Sequence, residues 1–241
     1  MTCFFSRKSA ILNIMKKKWR LKMISFDDVR KSREIGDYIK AADQSLSALG
    51  YTEHSFAHVG RVADMAAEIL SALGYDSRYI ELTRIAGFMH DIGNLINRDE
   101  HSQSGALMAF QILSRLGMDS SEIAGIVTAI GNHDEGVGVP VSPMAAALIL
   151  ADKSDVRRSR VRNTDPKTFD IHDRVNFSVY DSTLSVEAEG RVVTLSLKID
   201  TGIGSIMDYF TIFLDRMNMC KRAAEKLGLK FALIINDQSF I

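Results

Sequence analysis

Residues 86–105 read AGFMHDIGNLINRDEHSQSG. An apolar, helix-compatible run ends on the adjacent pair His90-Asp91, and another histidine, His101, lies ten residues beyond Asp91. Adjacent helical positions are rotated by about 100°, so both side chains can approach one centre only if the helix terminus points into it. Gly93 relieves the turn that follows, and His101 returns on the N-terminal side of the next helix.

Working outward, the chain of 241 residues, 46% of them hydrophobic, is long enough to bury a sizeable core as one domain or one with an appendage. Its longest wholly apolar run, Met144 to Ala151, is far below the roughly 18 residues of a membrane span, so no transmembrane helix is predicted. The two cysteines, Cys3 and Cys220, indicate neither a disulfide framework nor a cysteine-based zinc site, which fits a reducing cytoplasm. The formal charge of zero hides an asymmetry. Residues 1–22 hold seven basic residues and no acid, which leaves 23 basic against 30 acidic residues, net −7, for the rest. The apolar piece AILNIM is short for a signal core and lacks a clear small-residue cleavage site, so residues 1–23 read as a basic, disordered or vestigial extension, upstream of an alternative start at Met23.

From Ser25 to about Val156 the pattern is helical. Ser25 in SFDD is an N-cap with acids in the first turn, and one long amphipathic segment is expected from there to Gly50. A second helix carries Val62, Met65, Ala66, Ile69 and Leu73 and stops at Gly74. A third runs from about Ser77 to Asp91, a fourth through Leu107, Phe110 and Leu113 to Gly117, a fifth through Ile123 and Ile130, and a sixth through Met144 and Ala151. After Pro166 the period changes. Phe177 and Val179, then Leu184 to Ala188, then Val193 to Ile199 alternate as half-buried strands do, with Asp181-Ser182 and Glu189-Gly190 at the turns. An amphipathic helix with Ile206, Phe213 and Leu227 and a strand over Phe231–Ile235 complete the chain. The reading is mainly α: a helical domain over 24–166 and a small C-terminal α+β appendage over 167–241, with three strands, a helix and a further strand.

His58 lies four residues before Val62, His90 four after Ala86, His133 three after Ile130 and Asp152 four after Leu148, so each extends an apolar stripe toward the core. Buried ionisable groups cost several kcal/mol unless paired or coordinated, and a shared cation compensates them together. Convergence on a metal centre is the economical explanation.

The order His58, His90-Asp91 and the distal Asp152 inside LADKSD resembles the signature of the HD superfamily of metal-dependent phosphohydrolases, over roughly residues 50–160. His101 in HSQSGA and His133 in NHDE resemble the extra histidines of its two-metal branch, which includes dinucleoside polyphosphate hydrolases and cyclic-dinucleotide phosphodiesterases. The resemblance implies an HD-type helical bundle and a metal set of His58, His90, Asp91, His101, His133 and Asp152, with Asp91 bridging two ions.

Imidazole and carboxylate without thiolate suit divalent iron or manganese, and also cobalt, nickel or zinc. Two such ions about 3.5–4 Å apart can hold a hydroxide, lower its pKa toward neutrality and clamp phosphoryl oxygens, so no serine or cysteine nucleophile is required. The expected function is hydrolysis of a phosphomonoester, nucleotide or phosphodiester, with Asp91 and Lys153 as catalytic residues and Arg61 and Lys153 as contacts to substrate phosphate. His54 reads as a near-surface helix-start residue or a substrate contact. Asp134 and Glu135 could orient His133, Asp155 shares the face of Asp152, and His172 reads as structural. Many family members carry lysine where this chain has Asn94, and the loop after His133 reads DEGVGVPVSP without the GYP continuation of the cyclic-dinucleotide enzymes. The expected partner is a small phosphorylated substrate such as a nucleotide, with no membrane, no nucleic acid and room for a homo-oligomer. Two rival readings use the same ligands: a di-iron oxygenase of the same superfamily, and a non-catalytic, metal-stabilised sensor or binding module.

Overall fold

The computed structural model describes residues 23–241, so the basic extension expected over residues 1–23 lies, but for Met23, outside the described residues. The chain opens with α1 (Phe26–Arg30) and α2 (Arg33–Ala48). One continuous helix was the expectation here; instead Ser25 closes a capping box with Asp28 on α1, and Ser32 caps α2 separately by accepting from the Ile35 amide. The second N-cap serine, itself extended, interrupts the helix and starts the next one.

Four further helices follow: α3 (Phe56–Ala72), α4 (Ser77–Met89), α5 (His101–Leu116) and α6 (Ser120–Gly131). A short 3-10 turn, Ile92–Leu95, links α4 to α5, and α7 (Pro143–Ser154) runs through the middle of the bundle with ten of its twelve residues buried. A helix apolar on all sides must be enclosed on all sides. Accordingly α3, α4 and α6 pack around α7 from one side and a C-terminal helix from the other.

The C-terminal part differs in detail from the alternation in its sequence. Residues Ile171–Ser178 form a helix, α8, capped by Asp170, so Phe177 is helical and not the start of a strand. A single strand β1 (Val179–Glu187) then passes straight through Asp181-Ser182. Its register against β2 (Val192–Ile199) shifts between Val179 and Asp181, just before the polar pair, and Asp181 and Ser182 themselves pair regularly with Lys198 and Leu197, so they form no turn. The turn expected at Glu189-Gly190 does join β1 to β2.

Helix α9 (Ile206–Lys226) crosses over to β3 (Lys230–Ile235), which pairs parallel to β2, and a two-residue β4 (Gln238–Ser239) closes the order β1-β2-β3-β4. The register places Val193 opposite Phe231, Leu195 opposite Leu233 and Leu197 opposite Ile235, all buried against α9. One hydrophobic core is continuous from Ile24 in front of α1 to Ile235 in β3. Because α9 packs on α7, the appendage is fixed directly against the helix that carries Asp152. No helix among the described residues is long and apolar enough to cross a membrane.

Candidate metal centre

Two close approaches bring the site together. At Gly87 on α4, an added Cβ would lie 2.7 Å from the Ala63 Cα on α3, so these helices touch backbone to backbone where they carry His58 and His90. At Gly93 the space is tighter still: a Cβ would stand 2.0 Å from the His101 carbonyl and 2.5 Å from the Gly105 nitrogen. The 3-10 turn after His90-Asp91 therefore lies flat on the first turn of α5. Glu100, immediately before that turn, sits at φ 56 in the left-handed region, a sparsely populated conformation for a residue with a side chain, and this aims His101 back toward Asp91.

His58, His90, Asp91, His101 and His133 are buried, and Asp152 keeps a small exposed fraction. The Nε2 of His58 lies 3.4 Å from Asp91 Oδ2 and 3.4 Å from Asp152 Oδ1. The Nε2 of His90 lies 3.2 Å from Asp91 Oδ2 and 3.6 Å from Asp152 Oδ1. On the other side, Asp91 Oδ1 is 3.5 Å from His101 Nε2 and 3.9 Å from His133 Nε2, and these two ring nitrogens are 3.2 Å apart. Asp91 thus separates His58, His90 and Asp152 from His101 and His133, with one oxygen toward each group.

The opposite edge of every ring is fixed. His90 Nδ1 donates to the Gly87 carbonyl at 2.8 Å, His133 Nδ1 to the Ile130 carbonyl at 2.6 Å and His101 Nδ1 to the Arg98 carbonyl at 3.0 Å. His58 Nδ1 meets Asp155 Oδ2 at 2.7 Å. A carbonyl only accepts, so Nδ1 carries a proton in each of these rings and Nε2 is the nitrogen that faces inward, available to a cation once it is deprotonated. Two facing lone pairs, as in His101 and His133, repel unless a cation or proton lies near them.

Three buried atoms in this cluster, His58 Nε2, His90 Nε2 and Asp91 Oδ2, have no hydrogen-bond partner. Leaving such atoms unsatisfied costs about 1–3 kcal/mol each. They converge in sets whose donor atoms lie within 4.8 Å of one another: His58, His90 and Asp152 form one, and His90, Asp91 and His133 the other. The donor types and the orphaned atoms fit a divalent cation.

Charge follows the same division. For His90, burial alone would lower the ring's pKa, but the Asp91 charge and contacts with Asp152 raise it to about 10. His58 is likewise raised, against burial and Arg160, by Asp152, Asp155 and Asp91. His133 is held well below its ordinary range by burial and by the neighbouring His90 and Lys153 charges, and His101 is lowered by burial. Asp91 and Asp152 both stay ionised: burial opposes this, but His90 and Lys153 respectively outweigh it.

The remaining sequence candidates fall around this centre. Lys153 is buried, not a surface lysine, and its ammonium lies 2.7 Å from Asp152 Oδ2 and 2.6 Å from Glu135 Oε2. Glu135 in turn holds Arg216 of α9 at 2.9 Å, so it faces the appendage and does not orient His133. Asp134 approaches His101, at 4.0 Å, and not His133, whose ring is already fixed by its own backbone. Arg61 is half-exposed and ties Asp155 Oδ1 at 3.3 Å and the Ser182 carbonyl at 3.2 Å. His54 stands edge-on to His58 with centroids 5.4 Å apart, on the wall of an adjoining cavity that His172 also lines. Asn94 donates its amide to both the carbonyl and Oδ1 of Asp91, at 2.9 and 3.0 Å. Arg98, whose Nη1 is 3.3 Å from His101 Nε2, also stands at the centre, although its place in the polar stretch NRDE carries no periodic signal.

A helical bundle with buried, pre-oriented histidine and aspartate clusters has the build of a metal-binding protein. Comparison with known proteins bears on the class: residues 55–157 match the HD domain. An uncharacterized protein of Methanocaldococcus jannaschii is 26% identical over 175 residues, 63% of this chain and 66% of the relative, so the chain spans just under two thirds of that relative's length. A crystal structure described as a predicted HD superfamily hydrolase from an uncultured Thermotogales bacterium shares 28% identity over 52% of this chain and 68% of its own, with a TM-score of 0.42.

Proposed function

We propose that this chain is a metal-dependent phosphohydrolase acting on a phosphomonoester, nucleotide or phosphodiester, with two divalent cations held by His58, His90, Asp91, His101, His133 and Asp152. The observation that carries this reading is the placement of Asp91, whose Oδ2 faces His58 and His90 while its Oδ1 faces His101 and His133. A carboxylate in that position can serve two centres at once. Cations bound there supply a nucleophilic hydroxide near neutral pH and neutralise phosphoryl charge.

The chain's own groups prepare the site for that chemistry. Carbonyls of Gly87, Ile130 and Arg98 and the carboxylate of Asp155 hold the four imidazoles in the ligating tautomer. Lys153 holds Asp152 through its Oδ2, leaving Oδ1 toward His58 and His90. Lys153 and Glu135 neutralise one another behind the site, which keeps a buried charge from standing alone. Burial of nearly every donor excludes bulk water and strengthens each electrostatic contact.

The test is a panel of phosphomonoesters, nucleotides and phosphodiesters presented to protein loaded separately with iron, manganese, cobalt, nickel or zinc under anaerobic conditions. Phosphate release or diester cleavage with at least one metal is expected. A fully occupied preparation that cleaves nothing on the panel would contradict the reading.

A further inference from the structure

A cavity of about 530 Å3 reaches the cluster through two of its lining residues, Arg98 beside His101 and His54 beside His58. Tyr51, His54 and Arg98 line it from the helical part and His172, Asp173 and Arg216 from the C-terminal part. That volume is in the range of small-molecule sites, roughly 300–1,000 Å3.

The cations around the cluster are not equivalent. Lys153 is committed to Asp152 and Glu135. Arg160 donates to the carbonyls of Glu53 and Asp155 at 2.9 and 2.8 Å, Arg157 pairs with Asp155 at 2.8 Å, and Arg216 pairs with Glu135. Arg98 differs: no carboxylate of the described residues lies within 4.0 Å of its guanidinium nitrogens. Its contacts are Asn94 Oδ1 at 3.4 Å and His101 Nε2 at 3.3 Å, both from Nη1, and the Tyr51 ring at 5.7 Å. A guanidinium without a counter-charge, at the edge of a cavity and in contact with a candidate metal ligand, lacks an anion. Its planar fork matches phosphate oxygens. Asn94 cannot take this part, since it is neutral and its amide is given to Asp91.

We propose that Arg98 is the substrate-phosphate contact of this chain, and that the cavity takes a small phosphoester of nucleotide size with its phosphate between Arg98 and the cluster. The polar leaving group then lies toward His172 and Asp173, so the appendage supplies a wall of the substrate site. This rests on the phosphohydrolase reading for the reaction, but phosphate binding can be measured without it.

The experiment titrates inorganic phosphate calorimetrically into the metal-loaded full chain, its Arg98→Gln variant and its Arg98→Lys variant, with metal content measured on each. Arg98→Gln should weaken phosphate binding at least tenfold with unchanged metal content, and Arg98→Lys should weaken it less. Equal phosphate affinity in wild type and Arg98→Gln would overturn the assignment. So would loss of metal in Arg98→Gln, which would make Arg98 a support of His101. If wild type binds phosphate through Arg98 yet hydrolyses no phosphoester, the phosphohydrolase reading fails and this site stands. If Arg98→Gln hydrolyses a phosphoester with wild-type KM, this site fails and the reading stands.

Discussion

His58 on α3 and Asp155, the residue that ends α7, meet at 2.7 Å between Nδ1 and Oδ2 across 97 positions of sequence. The contact turns the His58 Nε2 lone pair toward Asp91 and Asp152. Burial opposes charge on Asp155, but His58 and Arg160 keep its pKa well below the usual carboxylate range. It is therefore an anion that strengthens the imidazole as a donor to a cation. Asp155→Asn keeps the shape and removes the charge, and metal affinity should fall roughly 10–100-fold. A metal titration that gives wild-type affinity for this variant would remove Asp155 from the site's support.

Metal binding should release protons. In the metal-free protein the His90 pKa is raised to about 10 by Asp91 and Asp152, so below that pH the ring carries a proton on the nitrogen a cation needs. Raised in this way, His90 contributes stability to the metal-free fold that is complete below the unfolded imidazole value and lost as pH rises through about 10. Metal affinity should accordingly increase with pH across this window. Calorimetry at about pH 7.5 in two buffers of different ionisation enthalpy counts the protons released. Identical heats in both buffers would contradict this.

Removing metal should destabilise the fold measurably. With free metal at about 1,000 times its Kd, linkage gives about 4 kcal/mol, which corresponds to about 10 °C in Tm for a chain of this size. Thermal melts before and after chelation test this, and coincident melting curves would count against occupancy of the buried clusters.

Much of this was legible because most of the candidate ligands follow the same periodicity as the core. His58 and Asp152 sit on their helices where an apolar residue would be expected, His90 and His133 follow just past the ends of theirs, and all lie at the centre. Contacts between distant segments carry no such mark. Asp155 and Arg98 sit in polar stretches, and their relation to His58 and His101 depends on how α3, α5 and α7 are set against one another. The helix α8 was hidden because Phe177 near its end and Val179, the first residue of β1, are spaced by two, as in a strand pattern. The Asp181-Ser182 pair has turn composition but lies inside β1, where the Ser182 hydroxyl donates to the Ser154 carbonyl at the end of α7.

Gly93→Ala should damage the site without touching a ligand. Its Cβ would collide with backbone, the His101 carbonyl at 2.0 Å, and no side-chain rotation relieves that. Separating the 3-10 turn from α5 should cost roughly 3 kcal/mol or more by overpacking. The same shift moves His101 away from Asp91, so metal content should fall together with Tm. A variant with normal Tm and full metal content would show that this contact yields easily.

The most direct measurement pairs elemental analysis with turnover for wild type and Asp91→Ala. If Asp91 serves both groups of histidines, the variant loses most of its bound metal and all phosphoester hydrolysis while keeping its helical content. Full metal occupancy with wild-type rates in Asp91→Ala would contradict a centre built around that carboxylate.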